Sequence, residues 1–452
     1  MAARRTDLTR RGLVLGGLAV AAAGCSSSSS SRSSGGGVAG RAMPSAVPTR
    51  TPGTRPFPNA AAGSDMLPAI EHIVVLMMEN HSFDNYFGTL RRADGLPRGA
   101  DGQPNAVNLD AAGKPVRSFH ITTTCQEKGK PSQAWNASHI QFNGGRNDGF
   151  ARSASGRISM GYWTADDLPF YYGLASTFPV ADRYFSSVLA QTYPNRRFLM
   201  AGTAFGEVGD PTPSFSDPPP PNGTIFDRLN QHQIPWKNYY AQVSSTLIIP
   251  SVYQRNKPKI VPVADFYTDA AAGTLPGFSL VDPNYTTGSE EDPQNIAVGE
   301  NFAAGIINAV MRGPAWSKTL LVWCYDEGGG YYDHVPPPRA IAPDTIAPDI
   351  HTPPDQPGGY DRYGFRVPCV IVSPYARRNY VSHVVHDHTS ILRLIETKWN
   401  LPAMTFRDAN ASNLLDSLDL THAPAFAEPP RLPSANTAAL AATCATASGD
   451  AT

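Results

Sequence analysis

Three short apolar runs, residues 73–78, 320–325 and 367–373, constrain this chain most, because each is nearly continuous and each gives way abruptly to polar residues. A strand with one wet face would alternate; unbroken runs of this length are strands buried on both faces, as parallel sheets in α/β proteins require. Between them, "NFAAGIINAVMRG" (301–313) and "HTSILRLIETKWNL" (388–401) carry apolar residues at i, i+3, i+4 spacing and are expected to be helices, with Thr389 or Ser390 placed to cap the second. The 452 residues suffice for one large core or two smaller ones. The expected fold is therefore α/β, with a central, largely parallel sheet sandwiched between helices, in one domain over about residues 67–420.

The ends of the chain read differently. Residues 4–11 hold four arginines, and the pair Arg10-Arg11 precedes a short apolar stretch at 13–23, the order of an export signal. The paired arginines fit the twin-arginine route, and a generic secretion signal is the alternative. "AAGC" ends at Cys25, where a lipobox would place an acylated cysteine as a membrane tether; simple cleavage among these small residues is the other reading. Residues 1–25 are thus expected to be an export signal and 26–66 a flexible Ser/Gly/Pro tether. Residues 421–452, rich in Ala, Pro and Thr, are expected to be a disordered tail. The protein would then be exported, either extracellular or held at the cell surface.

A formal net charge of −1 without any Lys/Arg block excludes the electrostatic footprint of a nucleic-acid binder. Cys125, Cys324, Cys369 and Cys444 lack metal-ligand spacing, and Cys324 and Cys369 sit inside apolar runs as core residues. An oxidising compartment permits a disulfide, with the pair left open. Proline (42) and glycine (39) are abundant, so long ordered loops are expected, richest at 216–224 and 339–361. Such loops either frame a site or are surface excursions. The aromatic stretch 160–174 has two readings as well: core, or a surface for lipid or a choline headgroup.

Ligands of open α/β sheets bind outside the carboxyl ends of the strands. Run 73–78 delivers Glu79 and Asn80 to that edge, and run 320–325 delivers Asp326 and Glu327, followed by three glycines. Converging carboxylates repel by about 4 kcal/mol per pair at 4 Å and an effective dielectric near 20. A cation removes that penalty. Carboxylate and amide oxygens are hard donors, so Ca²⁺, Mg²⁺ or Mn²⁺ is favoured over Zn²⁺. The turn "QTYPNRR" adds Thr192, Asn195, Arg196 and Arg197, a hydroxyl beside an amide and guanidinium groups, which suits an oxyanion such as phosphate. His334 and His388 fall where strand edges should meet, and "NASHIQFNGGRNDGF" holds His139. The chain lacks GxSxG, HExxH, GxxxxGK[ST] and GxGxxG.

"ENHSFDNYFG" (79–88), "TYPNR" (192–196), "DEGGGYYDHVPPP" (326–338) and "DHTSILRLIE" (387–396) together resemble the bacterial phosphoesterase family of phospholipases C and related acid phosphatases, which also includes plant non-specific phospholipases C. The resemblance runs in order over roughly 69–420. It implies an alkaline-phosphatase-like fold and a single divalent metal held by Glu79, Asn80, Thr192, Asp326 and Glu327, with Thr192 as nucleophile. Asn195 then matches a phosphoryl contact, and His139, His334 and His388 match histidines around the site. Either His334 or His388 would be the leaving-group acid. One departure bears on that acid: Asp292 stands where some relatives carry histidine. The resemblance is to the catalytic domain, and the C-terminal module of the larger haemolytic phospholipases is not expected here.

The function implied is hydrolysis of a phosphodiester such as phosphatidylcholine through a phosphothreonine. A phosphomonoesterase using the same site, and a non-catalytic lipoprotein binding a phosphorylated ligand, are the alternatives.

Overall fold

The computed structural model describes residues 47–125, 130–351 and 355–444. The expected signal, Cys25, the first part of the tether and the last eight residues lie outside these. An eight-stranded sheet organises the rest: β1 (His72–Met78), β2 (Val180–Ala181), β3 (Trp236–Tyr240), β4 (Ile260–Pro262), β5 (Phe278–Asp282), β6 (Thr319–Tyr325), β7 (Cys369–Val372) and β8 (Val381–Ser382), in the order β8-β2-β7-β6-β1-β5-β3-β4. The neighbours pair in parallel except at β6–β7 and β7–β2. The sheet is thus mostly parallel, as the apolar runs implied.

β1 and β6 are central neighbours, in register from His72 opposite Thr319 to Met78 opposite Tyr325. Successive strand residues face opposite sides, and 73–78 and 319–325 are buried throughout, so both faces of the sheet are covered. This register brings both strands to the same edge. Glu79-Asn80 and Asp326-Glu327 therefore leave the sheet side by side.

The helices that matter for the site are α1 (Pro169–Thr177), α2 (Thr192–Ala201), α3 (Ile296–Arg312) and α4 (His388–Trp399). α4 is capped by Asp387, two residues before Thr389; the Ser390 N–H donates to the Asp387 carbonyl (2.9 Å), and the Ser390 hydroxyl accepts the Asp387 N–H (3.2 Å). The aromatic stretch 160–174 is core, since Trp163, Phe170 and Tyr171 are fully buried. Cys324 and Cys369, both free and buried, face each other across β6 and β7. No helix among the described residues is long and apolar enough to cross a membrane.

Both flanks differ from their expected looseness. Residues 47–66 lie along the end of α4: Asn400, in a left-handed conformation past that helix, donates from Nδ2 to the carbonyls of Phe57, Ala60 and Ala61. At the other end, Phe426 is buried, the Asn436 N–H donates to the Glu300 carboxylate (2.9 Å), and Asn295 donates to the Ala439 carbonyl (2.7 Å). A disulfide joins Cys125 to Cys444 across 319 residues of sequence. Composition misled here because small residues and prolines also suit a strap that pairs its backbone with side chains of a finished domain. Closing so long a loop restricts the unfolded chain, so Cys444→Ser is expected to destabilise the protein by about 2–5 kcal/mol. A comparison of urea midpoints, repeated under reductant where the difference should vanish, checks this.

Candidate active site

Four carboxylates are buried at the carboxyl edge of the sheet: Glu79 after β1, Asp282 ending β5, and Asp326 and Glu327 after β6. One guanidinium stands among them. Arg196 Nε donates to Asp326 Oδ2 (2.9 Å), Nη2 to Glu79 Oε1 (3.3 Å), and Nη1 lies 3.7 Å from Asp282 Oδ1. Tyr285 accepts from Nη1 (3.0 Å) and donates to Asp282 (3.0 Å). Four acids against one cation leave a buried excess of negative charge. Burial pushes the Asp326 carboxyl up to about 7, and Glu79 and Glu327 also rise, first through burial.

The unsatisfied atoms lie in the same place. Asn80 has no hydrogen-bond partner on either Oδ1 or Nδ2, and Glu327 has none on Oε1, although both residues are only 2% exposed. A buried polar atom left unpaired costs on the order of 1–3 kcal/mol. Orphaned hard oxygens beside uncompensated carboxylates are the donor set a divalent cation requires, so the residues present fit such an ion. The glycines after Glu327 permit this packing: a Cβ on Gly329, at φ +63°, would lie 1.8 Å from the Asn80 carbonyl oxygen. Among the described residues, the trio of acids and histidine whose ligand atoms lie within 4.8 Å of one another is Asp84, Asp333 and His334, not Glu79, Asp326 and Glu327; Arg366 donates to both carboxylates of that trio (3.1 and 2.8 Å).

Thr192 opens α2 as its first residue, so the helix's positive end points where its hydroxyl begins. Arg196 follows one turn later on the same face. Thr192, Glu79 and Arg196 line one cavity of about 430 Å³, with Tyr193, Asp210, Pro213, Val243, Ile248, Tyr285 and Glu291 in its wall. Asn80, Asp326 and Glu327 do not line it. A second cavity of about 530 Å³ shares Asp210 and Ile248 with the first. Both proline-rich loops reach it, through Asp217 and Pro218 and through Asp349, His351 and Asp355.

Asn195 is committed elsewhere. Its Oδ1 accepts from the N–H groups of Ser187 (2.8 Å) and Val188 (3.1 Å), and its Nδ2 donates to the carbonyls of Val188, Ala190 and Gln191. It pins the loop that presents Thr192 and has nothing left for a phosphoryl oxygen. The histidines do not line the cavity either. His388 donates from Nε2 to the Asp326 carbonyl (2.6 Å) and accepts the Tyr184 hydroxyl on Nδ1 (3.1 Å); burial lowers its pKa to about 4. His334 pairs with Asp84 (2.7 Å) and Asp94 (3.2 Å); burial lowers its pKa, but Asp84 and Asp333 outweigh that and the net shift is upward. His139 donates to the Trp135 carbonyl (2.8 Å), lies tilted against that indole with ring centroids 4.2 Å apart, and is held low by burial.

Sequence reading missed two parts of the site. Asp282 ends a buried strand just as Glu79 and Asp326 follow theirs, so "GFSLVD" carried the same signal. Glu290 had none. It sits at φ +80°, where a side chain is strained, and buries its carboxylate under the hydroxyls of Tyr86, Tyr171 and Tyr325. His81 donates to its carbonyl (2.8 Å), and the preceding Ser289 carbonyl accepts the Glu79 N–H (3.0 Å). The loop is fastened so that Glu291 reaches the cavity wall. Asp292, at the position of the departure noted above, accepts the Tyr331 hydroxyl.

Burial raises the Glu290 carboxyl from 4.5 to about 8, against the three phenol donors. The folded value lies above the unfolded one, so its stabilising contribution is present below pH 4.5 and is lost as pH climbs through about 8. Between those limits stability should fall by at most roughly 1.4 kcal/mol per pH unit from this group. Urea titrations at a series of pH values should show that Glu290→Gln, which cannot ionise, removes this part of the decline.

A model of the phosphoesterase family matches residues 70–402. Phospholipase C A of Mycobacterium tuberculosis is 33% identical over 417 residues, spanning 80% of this chain and 78% of that protein. Non-specific phospholipase C1 of Arabidopsis thaliana is 28% identical over 416 residues, spanning 83% and 76%. Among solved structures, a protein in the alkaline phosphatase superfamily from Vibrio parahaemolyticus aligns over 66% of this chain and 72% of its own, at 10% identity and a TM-score of 0.37, a likeness too loose to add to the sheet topology.

Proposed function

The chain belongs to the phosphoesterase family and is a phosphoric-ester hydrolase, and from that premise we propose that it is an exported, metal-dependent phospholipase C acting through a phosphothreonine at Thr192. One observation carries the reading: unpartnered Asn80 and Glu327 oxygens and surplus buried carboxylates gather at the ends of β1 and β6, linked through Arg196 to Glu79, which lines a cavity with Thr192. Relatives named phospholipase C across most of the chain's length point to the diester as substrate.

Glu79, Asn80, Thr192, Asp326 and Glu327 would hold one divalent ion, with Ca²⁺, Mg²⁺ or Mn²⁺ suited to these oxygens. When bound, such an ion lowers the pKa of a ligating hydroxyl and offsets phosphoryl charge. Thr192 Oγ1 gives its proton to a carboxylate of the cavity wall and attacks phosphorus, the bond from phosphorus to the glycerol oxygen breaks, and water then releases the phosphorylated headgroup and regenerates the hydroxyl. The N-terminus of α2 favours both the alkoxide and the phosphoryl anion. Arg196 holds the carboxylates in place. A proton for the departing alkoxide comes from the cavity wall, where Glu291 and Asp210 are the carboxyl groups other than Glu79. Residues 1–25 act as the export signal, and an oxidising destination agrees with the disulfide between Cys125 and Cys444.

Thr192→Ala should lower turnover by about a thousandfold or more while leaving the urea midpoint unchanged, and Thr192→Ser should restore part of the rate. A variant with wild-type rates would move the nucleophile elsewhere. Chelator should abolish release of p-nitrophenol from p-nitrophenyl phosphorylcholine, and restoring Ca²⁺, Mg²⁺ or Mn²⁺ should recover it. Release from p-nitrophenyl phosphate alone would make the protein a phosphomonoesterase; release from neither under any ion would mean that the site only binds.

A further inference from the structure

The segment 211–218 walls both cavities: Pro213 lines the one holding Thr192, and Pro211, Thr212, Asp217 and Pro218 line its neighbour. At its centre Phe215 is 63% exposed, more than any other Phe, Tyr or Trp among the described residues. This exposure is built in. The Asp217 N–H donates to the Ser214 carbonyl (2.9 Å), and the Asp217 carboxylate accepts the Ser214 N–H (2.8 Å), closing a turn with Phe215 at its tip. Proline at 211, 213 and 218–221 fixes backbone φ on both sides. Val243, 39% exposed, belongs to a second segment in the wall of the Thr192 cavity. A rigid turn that holds a phenyl ring in water forgoes about 25 cal/mol for each Å² left exposed, with no return within the fold.

Charge around the same mouth selects what can cover it. The neighbouring cavity is lined by Glu207, Asp210, Asp217, Asp349 and Asp355, against one arginine, Arg197, which is itself paired with Glu207 (3.2 Å), and His351. Such a field repels an anionic surface and suits headgroups that end in an ammonium. We propose that this face docks on a zwitterionic phospholipid surface, with Phe215 entering the headgroup–acyl boundary and the acidic cavity facing the cationic ends of the headgroups. The inference rests on the phospholipase reading and adds how the cavity mouth meets its substrate. Aromatic rings favour that boundary, where the ring leaves water and the backbone stays hydrated.

The test uses the full-length chain carrying Cys25→Ser, so that no acyl chain can attach, and co-sedimentation with vesicles of phosphatidylcholine or of phosphatidylglycerol. Binding should favour phosphatidylcholine. Phe215→Ser should weaken it by roughly fivefold while leaving hydrolysis of soluble p-nitrophenyl phosphorylcholine unchanged. Phe215→Trp should restore binding, and its added fluorescence should be quenched by brominated-chain phosphatidylcholine. Unaltered partition of Phe215→Ser, a Phe215→Trp signal untouched by brominated lipid, or preference for phosphatidylglycerol would each overturn the proposal. Failure of the phospholipase reading looks different: the wild type would leave the choline diester intact, while sedimentation would still report docking.

Discussion

An unbalanced cluster of buried charge governs the architecture of this site. Glu79, Asp282, Asp326 and Glu327 are withdrawn from water at one sheet edge, and Arg196 alone among them is positive. Removing carboxylates from water is tolerable only with compensating charge. Arg196 compensates in part, which obliges α2 to approach the ends of β1 and β6. Thr192, one turn earlier on the same helical face, is thereby carried to the cavity. The position of the hydroxyl and the partial neutralisation of the acids follow from a single helix placement.

Around this cluster lies a set of groups that act through others. Asn195 gathers five backbone bonds from the loop ahead of Thr192, and His388 holds the Asp326 carbonyl from a fully buried position. Glu290, strained and enclosed by three tyrosines, fastens the loop that brings Glu291 to the cavity. Strained backbone persists where the surroundings over-determine it, and here a histidine, three phenols and a strand end all do so. Asn195 and His388 are motif members by sequence, yet their atoms are spent on geometry.

The histidines illustrate where legibility ends. A resemblance in motif placed His139, His334 and His388 near the chemistry, and near in sequence terms is where they lie. Whether a ring nitrogen is free depends on its partners: a carbonyl and a phenol for His388, two carboxylates for His334, a carbonyl and an indole for His139. Those partners are up to about 250 residues away, as Asp84 is from His334. No local pattern encodes such a pairing. The flanks make the same point from the other side, since segments that look like tether and tail are held by Asn400, Glu300 and the Cys125–Cys444 bond.

Periodicity by itself determined the sheet, because a run such as 73–78 is too apolar to tolerate water on either face and too short for a helix of ordinary length. It also determined that Glu79-Asn80 and Asp326-Glu327 would emerge at strand ends, and chemistry then pointed to a hard cation. Only the tertiary structure decided that β1 and β6 are neighbours in register, that Asp282 joins the acids, that Arg196 fills part of the charge, and that Asn195 and the histidines are already occupied. The division has a physical reason. Burial of a strand is a local property of its side chains, whereas charge balance and hydrogen-bond satisfaction belong to groups that meet only once the chain has folded.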